Sequence, residues 1–228
     1  MALDEALLEA AQCLTLRLYT WQPPAVSLGY FQDYPTIASA LPPGIDVVRR
    51  ITGGGAIWHE HEVTYSLVGW LGRDGLPGST RDLYGPFHGA IRAELARHGA
   101  TLVAQPETVG DRRYRDEPRC FASPAADDLV HADGGKTLGS AARARGQRVL
   151  LHGSLKLASN PWDGPVVTGC GLDAATAANC LVAGIATALG QSPVAGQLTA
   201  SEQAAAQRIA ADRYATTAWV RERSGPRA

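Results

Sequence analysis

The run Arg49-Arg50-Ile51-Thr52-Gly53-Gly54-Gly55-Ala56-Ile57-Trp58-His59, followed by Val63-Thr64-Tyr65-Ser66-Leu67-Val68, decides how the rest of the chain reads. A β-branched approach through Ile45, Val47 and Val48, three glycines and two alternating apolar runs predict a strand, a tight turn and further strands, because glycine alone tolerates the backbone such a turn demands. Three residues without side chains also leave bare backbone for a ligand to lie against. Two arginines enter the turn and a histidine leaves it, which suits a ligand carrying a carboxylate, a phosphate or a polarisable carbonyl. Strand alternation turns one arginine away from that ligand, and Arg50 is the anion contact if Arg49 faces the other side.

Working outward, residues 2 to 12 space their apolar side chains as a helix, and residues 14 to 19 and 25 to 28 alternate as strands around Pro23-Pro24. Residues 82 to 98 predict a helix with Ser79 or Thr80 as cap and Leu83, Phe87, Ile91 and Leu95 on one face. Residues 105 to 126 are charged, proline-punctuated and aperiodic, so a long loop containing Cys120 is expected. Strands are expected at 128 to 132, 137 to 142 and 149 to 157, then a helix at 174 to 189 whose apolar face includes Cys180, Val182 and Ile185. Thr199-Ala200-Ser201-Glu202 reads as a capping box for a last helix ending near Tyr214, and residues 224 to 228 should fray. Strands and helices mix without strict alternation, which predicts an α+β domain.

The 228 residues fit one domain, 1–228, with ample core. A net charge of -1 with no block of like charge gives no electrostatic case for nucleic acid. No long apolar run or apolar leader is present, so no membrane span and a cytoplasmic location are expected. The four cysteines, Cys13, Cys120, Cys170 and Cys180, lack paired metal spacing, and neither a metal site nor a disulfide framework is expected. Of 21 basic residues only Lys136 and Lys156 are lysines, so a lysine inside a glycine-rich segment stands out.

That segment is Gly134-Gly135-Lys136-Thr137-Leu138-Gly139-Ser140-Ala141-Ala142-Arg143, followed by Leu150-Leu151-His152-Gly153-Ser154-Leu155-Lys156-Leu157. With the first run, in this order and spacing, these stretches resemble the lipoate/octanoate transferase and ligase family. The resemblance extends from Met1-Ala2-Leu3-Asp4-Glu5 through Pro24-Ala25-Val26-Ser27-Leu28-Gly29 to Arg213-Tyr214 and Trp219, and implies the biotin/lipoate ligase-type fold, a mixed sheet flanked by helices. It also implies a place for Cys120, in Arg119-Cys120-Phe121. In the branch that moves octanoyl groups between thioesters, a Cys-Phe pair precedes the lysine motif at about this distance and carries the nucleophile. A thiol suits that task, since it accepts an acyl group from another thioester and keeps it activated towards an amine. Cys170, in Thr168-Gly169-Cys170-Gly171, resembles the nucleophile of a second octanoyltransferase type and is the rival; that type lacks the double arginine and triple glycine.

The resemblance makes Lys136 central in either of two reactions. In a transferase its ammonium would favour the Cys120 thiolate and the oxyanion of the tetrahedral intermediate. In an ATP-dependent ligase it would contact an acyl-adenylate, with ATP and magnesium as cofactors; the transferase needs neither. The acyl pocket is expected from Arg50, Gly53, Gly54, Gly55, Ala56 and His59 on one side and Gly139, Ser140, Ala141, His152 and Gly153 on the other, with His59 as a candidate base or a structural hydrogen-bonder. The implied partners are acyl carrier protein as octanoyl donor and a lipoyl domain or glycine-cleavage H protein as acceptor, with the chain a monomer. Too few residues follow the capping box for the accessory domain usual in the ligases, which favours the transferase. A non-catalytic acyl-binding module is the third reading, and Lys136 argues against it.

Overall fold

The computed structural model describes residues 1–110 and 114–224. Its elements in chain order are α1 (Ala2–Ala10), β1 (Thr15–Tyr19), β2 (Ala25–Leu28), α2 (Tyr34–Ala38), β3 (Asp46–Arg49), β4 (Ile57–His59), β5 (Glu62–Trp70), α3 (Tyr84–Arg97), β6 (Leu102–Ala104), β7 (Leu129–His131), β8 (Lys136–Arg145), β9 (Arg148–Lys156), α4 (Ala174–Leu189), α5 (Ala200–Ile209) and α6 (Thr217–Glu222). A large sheet in the order β1-β5-β9-β8-β7-β6 pairs antiparallel throughout. The mixed pairing expected from the sequence sits in a second, smaller sheet, where β2 runs parallel to β3 and antiparallel to β4.

Both faces of the large sheet are covered, so β5 and β9 are buried almost end to end. On one face Val63, Tyr65 and Leu67 meet Val149, Leu151 and Leu155 under α3 and α4. Leu83, Phe87, Ile91 and Leu95 all point into this core, as their helical spacing requires. On α4 the core positions are Ala177, Cys180, Leu181, Gly184 and Ile185; Val182 sits one step round and is only half-buried. On the other face Val68 and Leu150 pack with Leu7 and Leu8 of α1, Tyr214 and Trp219.

That second face is apolar only towards α1. Further along it, register places Glu62 opposite Lys156, Thr64 opposite Ser154 and Ser66 opposite His152. Period-2 geometry thus makes a polar strip facing the small sheet, and this strip is the floor of the functional site.

The capping box forms as read, with Thr199 Oγ1 accepting from Glu202 N and Glu202 Oε2 accepting from Thr199 N. The helix it opens continues beyond α5 as a wider π-type turn to Tyr214. Ser79 Oγ donates to Asp82 Oδ2 at 2.7 Å, at the entry to a 3-10 turn that leads into α3. The long stretch from 105 to 126 contains one 3-10 turn, Cys120–Ala122, among its described residues, while 111–113 lie outside them. Of the end expected to fray, 225–228 lie outside the described residues and Ser224 is bonded back to Ala218 O. Among the described residues no helix is long and apolar enough to cross a membrane.

The tightest helix crossing is α3 on α4, where a Cβ added at Gly184 would lie 2.6 Å from Ile91 Cα. Gly184→Val should therefore destabilise the fold by about 1–3 kcal/mol through overpacking, read as a lower urea midpoint. A neutral effect would mean that the two helices separate freely.

Candidate active site

The slot between the two sheets is lined by Ser27 of β2, Arg50 and Gly54 of the glycine turn, His59 of β4, and Lys136, Gly139, Ser140, Ala141, His152 and Gly153 of β8 and β9, with Tyr114, Cys120 and Asp128 closing it. It encloses about 550 Å³ including its mouth. The three motifs, more than 100 residues apart at their extremes, thus meet at one place. Gly53, Gly55 and Ala56 stand behind the wall. Gly53 O and Gly55 O accept from Arg50 Nη2 at 2.9 and 2.7 Å. A Cβ at Gly55 would come within 2.7 Å of Cys120 N, so the absence of a side chain there is what lets the cysteine loop close on the turn.

Two backbone bonds do the closing: Ala56 N donates to Pro118 O, and Cys120 N donates to Ala56 O, both at 2.8 Å. The 3-10 turn then presents the Cys120 side chain to the slot while Phe121 is buried beneath it. Lys136 Nζ, on β8, lies 3.7 Å from Cys120 Sγ and 3.5 Å from Cys120 O. The other end of its charge is met by Asp128 Oδ2 at 2.7 Å. Burial works against the ammonium, but Asp128, Cys120 and Tyr114 outweigh it and hold Lys136 above the ordinary lysine range. Gly139 makes this possible, since a Cβ there would collide with the Lys136 amine. Asp128 Oδ2 also accepts from Ala125 N at 2.7 Å, so the carboxylate that neutralises Lys136 anchors the cysteine loop too.

Alternation separates the two arginines as expected, although both are buried. Arg49 Nη1 donates to Gly29 O, Tyr30 O and Gln32 O, and its Nε to Val220 O, which ties β3 to the C-terminal helix. Arg50 donates to Ser27 O, Ser27 Oγ and the glycine carbonyls, and reaches the slot. It has no carboxylate partner among the described residues, and burial lowers it from the usual arginine value.

His59 is fixed at both nitrogens. Its Nδ1 lies 2.6 Å from Glu62 Oε1 and its Nε2 lies 2.7 Å from Ser27 Oγ, while Trp21 stacks on the ring at 4.0 Å. Glu62 is completed by Thr64 Oγ1, Ser154 Oγ and Lys156 Nζ, the last at 2.9 Å. Burial alone would raise Glu62; His59 and Lys156 overcome it and hold it well below the usual carboxylate range. Burial keeps His59 neutral below its ordinary value, against the pull of Glu62. Ser27 Oγ accepts from Arg50, so its own proton points to His59 Nε2 and Nδ1–H points to Glu62. Glu62, Asp128, Tyr114 and Ser27 were not singled out as site residues in the sequence.

Two expected residues are engaged elsewhere. The Ser140 hydroxyl lies 2.7 Å from both Tyr65 Oη and His88 Nε2, on the helix side of the sheet. Cys170 is buried in the core under α3 and α4, does not line the slot, and has its thiol pushed up by burial. Among the described residues no cluster of three or more His, Cys, Asp or Glu is arranged to hold a metal ion.

Residues 1–164 match the family model of the lipoyl protein ligase A/B catalytic domain. The octanoyltransferase LipM of Moorella thermoacetica is 36% identical over 167 residues, which cover 70% of this chain and 61% of that protein. LipM of Kyrpidia tusciae is 31% identical over 258 aligned positions, with 96% of this chain and 92% of that protein covered. The chain thus spans about three-fifths of the first relative's length and nearly all of the second's. Among solved structures, the T. acidophilum protein Ta0514 with bound lipoic acid superposes with a TM-score of 0.79 at 20% identity, covering 97% of this chain and 92% of that one. Lipoate-protein ligase A bound with ATP superposes with a TM-score of 0.75 at 21% identity, over 96% of this chain and 91% of that one. At such identities these two establish the fold.

The slot and its surroundings bury three neutral histidines. Burial pushes His152 down to about 3 and lowers His59 and His88 from their ordinary value. A histidine depressed in the folded state binds its proton more readily unfolded, so its contribution is complete above about pH 6.5 and is lost as pH falls below it. Glu62, also depressed, adds to the same trend at lower pH. The melting temperature should accordingly fall on acidification from pH 7 to pH 4, and His152→Asn should flatten the fall; an unchanged slope in that variant would refute the assignment.

Proposed function

The chain belongs to the lipoyl protein ligase A/B catalytic-domain family, and on that premise we propose that it is an octanoyltransferase of protein lipoylation working through a thioester on Cys120. The observation that carries this reading is the Cys120 Sγ at 3.7 Å from the Lys136 ammonium, in a slot whose lining includes Gly54, Gly139, Ala141 and Gly153. The identity to LipM octanoyltransferases supports the chemistry.

In the first half-reaction the Cys120 thiolate attacks the carbonyl of an octanoyl thioester on acyl carrier protein. Lys136 and Arg50 line the slot with their cationic side chains, and they face the oxyanion that forms. The carrier's thiolate leaves, and the octanoyl group stays on Cys120. In the second half-reaction a lysine of a lipoyl domain or glycine-cleavage H protein loses its proton towards Ser27 and the neutral His59, whose imidazolium Glu62 stabilises. The amine attacks the thioester, the C–S bond breaks, and an amide remains on the acceptor. Exchange between thioesters is nearly balanced in energy, so the reaction as proposed uses no ATP and no metal, within a single domain acting as a monomer.

The test is to incubate the protein with octanoyl-acyl carrier protein without ATP and to follow intact mass. A hydroxylamine-labile octanoyl adduct is expected. It should vanish in Cys120→Ala, persist in Cys170→Ala, and form about 10²–10³-fold more slowly in Lys136→Ala. Absence of the adduct, together with lipoate- and ATP-dependent modification of an acceptor domain, would instead identify a ligase.

A further inference from the structure

In the reading above the thiol of this site lies beside an amine, and an amine is what attacks the acyl group next. Lys136 Nζ is 3.7 Å from Cys120 Sγ. Once Sγ carries an acyl group, the thioester carbon is one bond from it, so rotation about the Cβ–Sγ bond can carry that carbon to the near-attack range of about 3–3.5 Å that favours reaction. Effective molarities for such placed groups reach about 10⁵–10⁸ M, so an acceptor protein arriving by diffusion would lose to an internal free amine. Transfer to Lys136 would be terminal: the amine attacks the thioester carbon, a C–N bond forms, the C–S bond breaks, the amine's proton passes to sulfur, and an unreactive amide is left on the enzyme.

We propose that Asp128 guards the acyl-enzyme by holding Lys136 as an ammonium, which has no lone pair and cannot take the octanoyl group from Cys120. The inference rests on the octanoyltransferase reading given above. Three features carry it. Asp128 Oδ2 lies 2.7 Å from Nζ, and both side chains are buried, so the pair is not loosened by solvent. The other neighbours of Nζ are Cys120 and the face of the Phe121 ring at 5.0 Å, with the Tyr114 hydroxyl facing the same space; Asp128 is the only carboxylate that meets it among the described residues. Without that charge, an ammonium in an apolar site sheds its proton. The chain's only other lysine, Lys156, is fully buried between Glu62 and Asp163 and does not line the slot.

The decisive variant is Asp128→Asn, with Asp128→Ser as a second charge-free replacement that still offers Ala125 N an acceptor; a cooperative melt establishes that each is folded. After incubation with octanoyl-acyl carrier protein, the wild-type adduct should be wholly labile to hydroxylamine. In the variants most of the adduct should resist it and map to the Lys136 peptide. The resistant product should disappear when Lys136→Met or Cys120→Ala is added, the latter showing that the acyl group came by way of sulfur. Absence of a resistant adduct from both folded variants, while wild type forms the labile one, overturns the guard. Absence of any adduct from wild type overturns the transferase reading instead.

Discussion

A buried ammonium has to meet a buried carboxylate, and the Lys136–Asp128 pair is the contact on which the site is built. Each ion loses several kcal/mol of hydration on burial, so the pair is tolerated only because its geometry is close and its remaining bonds are filled. Such a pair adds little to net stability but leaves few alternatives for the backbone around it. Asp128 fixes the end of the cysteine loop through Ala125 N, and Lys136 fixes the start of β8 against Cys120 O and the Phe121 ring. The position of the Cys120 thiol is therefore set by electrostatics on one side and by backbone pairing with Ala56 on the other.

The second buried network has the opposite arrangement, with a carboxylate at its centre. Glu62 collects His59, Thr64, Ser154 and Lys156, and Lys156 reaches on to Asp163 and Trp58 O. Both lysines approach Phe121, with Lys136 Nζ at 5.0 Å and Lys156 Nζ at 5.3 Å from its ring centre. One aromatic side chain thus separates two cations that would otherwise repel across the slot's base, and its negative faces suit that role. Lys156 keeps Asp163 if Glu62 is removed, whereas Lys136 has Asp128 alone among the described residues, and breaking a buried pair of that kind costs about 3–5 kcal/mol.

Much of this was legible in the sequence, and the failures have local causes. The helices α1, α3 and α4 followed from 3.6 periodicity, as Leu83, Phe87, Ile91 and Leu95 show, whereas α2 and α6, of five and six residues, are too short to display it. The glycine turn and the lysine segment were readable as parts of one pocket through their motifs. Asp128 was not, because it follows Asp127 directly, and the choice between them is made by the left-handed backbone at Asp127 and by the irregular pairing of β7 with β8. Glu62 belongs to none of the quoted runs; its burial goes with Lys156, which pairing brings opposite it. Ser140 belongs to a small-residue run, yet alternation turns its hydroxyl to the helix side. Val182 and Leu181 are adjacent and equally apolar, and only the rotation of α4 on the sheet decides between them.

The two hydrogen bonds at Ala56 connect the cysteine loop to the small sheet, whereas the ammonium that faces the thiol belongs to the large one. Cleft width and the placement of the Cys120 sulfur are therefore coupled. Drawing the sheets apart would strain the ties of the cysteine loop on both sides, the pair at Ala56 and the contacts with Asp128 and Lys136. The loop that bears Cys120 is therefore a strap across the cleft, held at both ends.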